Sequence, residues 1–225
     1  MTPFLAVCDP PWNADAGGGG RGAQNHYGLE GVDGIAHAMR SAPPWRDTGP
    51  GLLWMWATSS AFVTGDAAVV ARALGFRPCA GWVWAKVDEL HCGGCQGLGD
   101  FGPLTSARET CPVCRGFGSV FLHPARLGLG QWQRTEHEHL LLCRRGDVSV
   151  PEPSKRPRSM SYAPRGAHSA KPPEAWAVIE QVSRSSLGAD VRGVEFFART
   201  QRPGWGAFGT LDGPHTPPRF VEASP

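Results

Sequence analysis

Short uncharged runs alternate along this chain with amphipathic stretches, and the alternation predicts its elements. Phe4 to Cys8 (Phe-Leu-Ala-Val-Cys) is apolar throughout, as expected of a strand buried on both faces. Val32, Ile35, Ala36 and Met39 recur at helical spacing and predict a helix over 32–39. Gly51 to Ala57 (Gly-Leu-Leu-Trp-Met-Trp-Ala) reads as a second buried strand. Thr58, Ser59 and Ser60 then offer an N-cap for a helix from Phe62 to Leu74, with Gly75 as its stop. Cys79 to Lys86, in which Trp82 and Trp84 alternate, reads as a third strand. Strand, helix and strand in this rhythm predict an α/β fold, a mostly parallel sheet covered by helices.

The rhythm breaks after the third strand. His91 to Val120 holds little that can form a core and much glycine. From Gly130 the pattern resumes with Gln131-Trp132-Gln133-Arg134-Thr135-Glu136-His137, leading into a strand at His139 to Cys143. Residues 144–168 are punctuated by proline and are basic: Arg144, Arg145, Lys155, Arg156, Arg158 and Arg165 are offset only by Asp147 and Glu152. Lys171-Pro172-Pro173-Glu174 starts a helix to about Val182, with prolines in its first turn and Trp176, Ile179 and Val182 on one face. Val194 to Ala198 reads as the last strand, and the proline-rich segment from Gly213 as a tail ordered only by docking, or disordered. The expected division is a main domain of residues 1–90 and 121–212, an inserted module at 91–120 and a tail at 213–225.

At 225 residues the chain is long enough for one sizeable core and a small insertion. A formal net charge of +2 does not by itself call for nucleic acid. Arginine supplies 19 of the 22 basic residues, which favours bidentate contacts to phosphate or carboxylate. The 30 glycines and 21 prolines imply long loops. The chain does not open on a basic region followed by an apolar core and a cleavage site, and no apolar run reaches membrane-spanning length. The expectation is a soluble, cytoplasmic protein with no membrane partner.

Two stretches carry candidate chemistry. The first is the end of the opening strand, Asp9-Pro10-Pro11-Trp12. The prolines lack the N–H that would extend a ladder, and Pro10 biases Asp9 towards an extended conformation. The turn offers a carboxylate, backbone carbonyls without competing donors and a projecting indole, a set suited to a planar base with an exocyclic amine. A strand running into a proline turn is the plainer reading. Gly17 to Gly22, directly behind it, reads as an active-site loop or a surface insertion. The second stretch holds Cys92-Gly-Gly-Cys95 and Cys111-Pro-Val-Cys114, 15 residues apart. Two such pairs at this spacing predict a zinc site, and four thiolates leave no open position for water, so the zinc is structural. A redox pair and metal-free thiols are the alternatives, and the neighbouring His91 reads as a surface residue. Cys8, Cys79 and Cys143 fall in predicted strands and read as small buried side chains.

Each cysteine pair continues alike, Cys95-Gln-Gly-Leu-Gly and Cys114-Arg-Gly-Phe-Gly, and this repeat resembles the zinc centres of the DnaJ chaperone family. That likeness covers about thirty residues and implies a one-zinc module, not chaperone activity. The motifs outside the module occur in one order: Asp9 to Trp12, Leu52 to Trp56, Val83 to Lys86, Gly130 to Leu141, His168 to Glu174 with Ile179-Glu180, and Glu195 to Gly209. In that order they resemble the N6-adenine methyltransferases typified by the 70-kDa-type mRNA adenosine methyltransferase subunit, above all their compact bacterial and phage relatives. The last motif departs from the family's usual Gly-Asn-Glu, reading Gly209-Thr210-Leu211.

The resemblance implies a Rossmann-like fold that uses S-adenosylmethionine, with helices on both faces of the sheet. It implies that Asp9 and the Pro10 carbonyl, on the stiff turn completed by Pro11, orient a target amine, and that Trp12 supports the base. Cofactor contacts are implied for Cys8, Asp9, Lys171, Glu195, Phe196, Arg199 and Gly209. The implied partner is nucleic acid, DNA ahead of RNA, and a second copy or a partner subunit is a further expectation. The basic stretch from Arg144 to Arg165 reads either as a phosphate-following loop or as a solvated linker. The zinc module would hold nucleic acid backbone or a partner chain. Two other readings stand beside the enzyme: a non-catalytic subunit of the same fold that binds nucleic acid or scaffolds a partner, and a zinc-dependent interaction module of chaperone type.

Overall fold

The apolar run at the start of the chain forms the axis of the molecule. The computed structural model describes residues 2–12, 31–92, 100–101, 109–115, 118–122, 133–166, 170–211 and 217–223. The glycine loop at 17–22, Cys95, Gly130 to Trp132 and His168 lie outside them. Strand β1 (Phe4–Cys8) is buried at every position. Its Phe4, Ala6 and Cys8 face one apolar cluster, and its Leu5 and Val7 face another. The first cluster lies against helices α1 (Gly31–Ser41) and α3 (Asp66–Ala73), and the second against α4 (Pro173–Leu187). Strand β2 (Gly51–Ala57) is likewise buried throughout and shares its side chains between the same two clusters. Period-two alternation with apolar residues on both faces is what a sheet covered on both sides requires.

The remaining strands are β3 (Arg77–His91), β4 (Asp100–Phe101), β5 (Glu109–Thr110), β6 (Ser119–Leu122), β7 (His137–Arg145), β8 (Met160–Pro164), β9 (Gly193–Phe196), β10 (Gly206–Gly209) and β11 (Arg219–Val221). Among the described residues nine strands form one sheet in the order β11-β10-β9-β1-β2-β7-β3-β6, with β8 also on β3, while β4 and β5 pair separately. Strands β1, β2, β3, β8, β9 and β10 run one way, and β6, β7 and β11 the other. The sheet is therefore mixed. The rhythm β2, helix, β3 predicts a parallel sheet, and the two strands do run parallel, but β7 enters between them and pairs antiparallel with both.

Other expectations shift at their edges. Thr58 does cap, its Oγ1 accepting the Ala61 N–H at 3.2 Å. The helix read from Phe62 to Leu74 is two helices, α2 (Ser59–Val63) and α3, parted at Gly65. Gly65 has φ +85, a left-handed conformation that breaks the helical run and that glycine adopts without strain. Cys8 and Cys143 are buried as expected, but Cys79 is exposed. The register of β3 against β7 shifts between Pro78 and Ala80, and at this irregularity the Cys79 thiol donates to the Leu142 carbonyl at 3.3 Å. Strand β8 has no counterpart among the expected strands, because a short strand within a proline-punctuated basic stretch carries little apolar signal. The last strand is not at 194–198: β9 ends at Phe196, and β10 and β11 follow. β11 arises within the segment expected to be a tail and pairs with β10.

Beyond Ala85, β3 leaves β7 and continues as a ribbon with β6, from Asp88 opposite Leu122 to His91 opposite Ser119. The cysteine segment follows at its end, where the Cys92 N–H donates to the Gly118 carbonyl at 2.9 Å. Asp9 follows the end of β1, which runs parallel to β2 and hence to β3, so the ribbon leaves the sheet at the same end as Asp9. No helix among the described residues is long and apolar enough to cross a membrane.

Candidate active site

From β1 the chain crosses to β2 on one side, and its last helix returns it to β9 on the other. Such a reversal leaves a crevice beyond the carboxyl ends of the two strands, where ligands of open α/β sheets bind. The crevice here has a volume of about 290 Å³ and is lined by Asp9 after β1, Glu195 on β9, and Lys171, Arg199 and Arg202, among others. Residues more than 180 positions apart in sequence thus line one cleft.

Lys171 occupies the centre of the polar geometry. Its Nζ lies 3.1 Å from Asp9 Oδ2 and donates to Glu138 Oε2 at 2.8 Å. Lys86 Nζ approaches the other oxygen, Glu138 Oε1, at 2.6 Å. The four side chains form a chain of alternating charge from β1 to β3. Burial pushes the Glu138 carboxyl up, but the charges and hydrogen bonds of Lys171 and Lys86 prevail and hold it at about 2. Burial likewise pulls the Lys171 ammonium down, and Asp9 and Glu138 more than offset it, leaving the group raised. The ammonium also sits 4.6 Å from the centre of the Trp56 ring, whose face favours a cation.

The turn at Asp9 to Trp12 differs from the sequence reading in two ways. Trp12 does not project from the turn. Its indole is buried and its Nε1–H donates to the Trp56 carbonyl at 2.7 Å, so it anchors the turn to β2. The Pro10 carbonyl does meet a competing donor, accepting the Trp12 N–H at 2.8 Å. A carbonyl has a second lone pair, so one acceptor site remains. Pro10 and Pro11 are buried.

Of the expected cofactor residues, Asp9, Lys171, Glu195 and Arg199 line the cleft, and Cys8, Phe196 and Gly209 are not among its lining residues. The Cys8 thiol points into the α1 and α3 side of the core, where burial pushes it up, aided by Cys143 and Asp9. The Phe196 ring lies on that side too, 5.8 Å from Trp45. At Gly209 an added Cβ would collide with the Ala198 backbone, so β10 can pass over the turn after β9 only with glycine there. Lys171 makes its contacts to carboxylates of the chain itself.

The sequence did not single out several other groups. Glu138 stood inside the Gly130 to Leu141 motif without a role, and Lys86 closed another. Arg202 places its guanidinium 3.8 Å from the Trp176 ring centre in the cleft, and its Nε is buried without a hydrogen-bond partner. Phe197 lines the cleft with φ +60, a conformation that bulky residues avoid and that marks a strained turn. The basic stretch does not border the cleft. Arg145 packs on Phe4 and Phe76 and donates to the Thr48 and Gly49 carbonyls, and Arg144, Arg156 and Arg158 line a different cavity. At the ribbon's end Cys92, Cys111 and Cys114 are buried, and their sulfurs lie within 4.8 Å of one another.

Burial is the largest influence on Glu195 and pushes its carboxyl up; Arg202 opposes it, Asp9 adds to it and Lys171 opposes it, for a result of about 7. The folded chain thus holds this proton after the unfolded chain, near 4.5, has released it. Its contribution to stability is fully present below 4.5 and is lost as pH rises through about 7. Urea midpoints measured across that range should fall with rising pH, and Glu195→Gln should flatten the slope. Equal slopes in both proteins would show that Glu195 titrates normally. Turning to known proteins, a search among curated sequences finds no match. Residues 121–211 match the family model MT-A70, a match that supports the methyltransferase fold and the family likeness carried by the motifs.

Proposed function

We propose that the protein is an S-adenosylmethionine-dependent methyltransferase that modifies the N6 amine of adenine in nucleic acid, DNA ahead of RNA. The observation that carries this reading is the meeting of Asp9, Lys171, Glu195 and Arg202 in one cleft at the carboxyl ends of β1 and β9. The donor and acceptor set fits the cofactor. Glu195 offers acceptors for a ribose diol, and the guanidiniums of Arg199 and Arg202, which line the same cleft, offer donors for an amino-acid carboxylate. When bound, the cofactor supplies a methyl group on a positively charged sulfur. The preference for DNA rests on the likeness of the motifs to compact bacterial and phage relatives.

The amino lone pair of adenine is delocalised into its ring and is a weak nucleophile. Asp9 has two carboxylate oxygens, and Lys171 lies within ion-pair reach of Oδ2, which directs Oδ1 to an amine proton. The free lone pair of the Pro10 carbonyl is the second acceptor. Two acceptors on two amine protons turn the nitrogen lone pair away from the ring and fix its direction. Trp12, hydrogen-bonded to β2, stiffens the turn that carries both acceptors. Positioning of this kind can account for a large part of the acceleration of a displacement. An adenine within a duplex has to leave the stack to reach Asp9, so single strands or extruded bases are the substrates.

We further propose that Cys92, Cys95, Cys111 and Cys114 hold one structural zinc. Cys95 lies outside the described residues. A tetrahedron with Zn–S bonds of about 2.3 Å sets its sulfurs about 3.8 Å apart, and Cys92 Sγ and Cys111 Sγ are 3.8 Å apart. The Gly118 N–H donates to Cys114 Sγ at 3.2 Å, a contact that suits a thiolate.

With labelled S-adenosylmethionine, the purified protein should place label on adenine in single-stranded or duplex oligonucleotides, and Asp9→Ala should abolish it. Cofactor binding without methyladenine in DNA, in RNA or in partner-supplemented reactions would leave the non-catalytic reading standing instead. Elemental analysis should find one zinc per chain, absent from Cys92→Ser combined with Cys111→Ser; a folded, metal-free wild-type preparation would refute the zinc site.

A further inference from the structure

A second cavity lies at the other end of the sheet. Leu52, which helps to line it, stands one residue into β2 and pairs with Arg144 near the end of β7, whereas Asp9 follows the opposite end of β1. Its volume is about 440 Å³, within the roughly 300–1,000 Å³ of small-molecule sites. Its walls are mainly apolar, with Trp54 and Trp82 from the sheet and Val182 from α4. Arg144, Arg156 and Arg158 also line it, and among the described residues no acidic side chain does. None of the three arginines is in an ion pair among the described residues. Arg156 uses only its Nε, donating to the Pro151 carbonyl at 3.0 Å.

Each class of occupant makes a different demand on such a site. Inorganic phosphate alone would leave the apolar walls facing water. A neutral lipid would make no use of the three guanidiniums. A nucleotide would set the polar edge of its base against walls that are mainly apolar. Trp54 Nε1–H already donates to Ser183 Oγ at 3.1 Å, and Trp82 Nε1 is enclosed without access to a ligand. A ligand with an apolar body and a single anionic head meets all three demands, since the body displaces water from the walls and the head pairs with the guanidiniums.

We propose that the cavity formed by Trp54, Trp82, Val182 and the arginines Arg144, Arg156 and Arg158 binds a small amphiphilic anion, such as a medium-chain carboxylate. This site is separate from the cleft at Asp9 and does not depend on the reaction proposed there.

The test uses the full chain and the dye 8-anilinonaphthalene-1-sulfonate, an aromatic body with one anionic group. Dye fluorescence should rise saturably, and decanoate should displace it while decanol, with a chain of the same length, does so about tenfold more weakly, a difference of about 1.4 kcal/mol. Val182→Trp, which fills the cavity, should remove dye binding, whereas Arg199→Ala in the cleft should leave it intact. Arg144→Gln with Arg158→Gln changes one half-buried and one exposed side chain rather than the core, so it tests the claim even if the filled variant does not fold; decanoate should then lose its advantage over decanol. Equal displacement by both compounds in the wild type would overturn the proposal. So would loss of dye binding in Arg199→Ala, or an unchanged decanoate advantage in the double arginine variant.

Discussion

The site depends on one lysine held between two carboxylates. Lys171 reaches Asp9 and Glu138 at once, and Glu138 is shared with Lys86. Removing a member would leave its partners with an uncompensated charge in a partly buried setting, which costs roughly 3–5 kcal/mol where burial is full. The chain of charges also fixes geometry, because Asp9 stands on a loop while Glu138 and Lys86 stand on adjacent strands of the sheet. A rigid sheet thereby sets the direction of the carboxylate that faces the amine in the proposed reaction.

That ion chain requires β1 to end where it does. Burial on both faces leaves β1 no freedom to slip, since a shift of one residue would exchange its two sets of side chains between clusters. Helices on opposite faces then carry the chain away from β1 on one side and back beside it on the other, and the crevice between β1 and β9 follows from that path. α4 serves both ends of the molecule. The chain entering it bears Lys171, its first turns carry Trp176 into the cleft, and its later turns carry Val182 to the far cavity.

Much of this was legible in the sequence, where one physical rule dominated. Continuous apolar runs marked β1 and β2, prolines in a first turn marked α4, and the acid after β1 marked the cleft. The sequence was silent where the outcome rests on long-range pairing. Nothing in 137–145 says that it will enter between β2 and β3, and a strand as short as β8 is stabilised by neighbours rather than by its own composition. Trp12 illustrates the same limit. An indole after two prolines suggests an exposed ring, and only the nearby Trp56 carbonyl explains why it turns inward. Lys171 was found by its motif, but its contacts to Asp9 and Glu138 depend on β7, whose place in the sheet the motif does not reveal.

We propose that Lys171 serves Asp9 rather than the cofactor, and Lys171→Gln separates the two roles. Calorimetric titration with S-adenosylhomocysteine and single-turnover methyl transfer should be measured on the same preparations. The ion chain predicts cofactor affinity close to that of the wild type and a turnover rate lower by about a hundredfold, the scale of a misplaced reacting group. Lost cofactor affinity, with an unchanged rate once the cofactor is saturating, would contradict it.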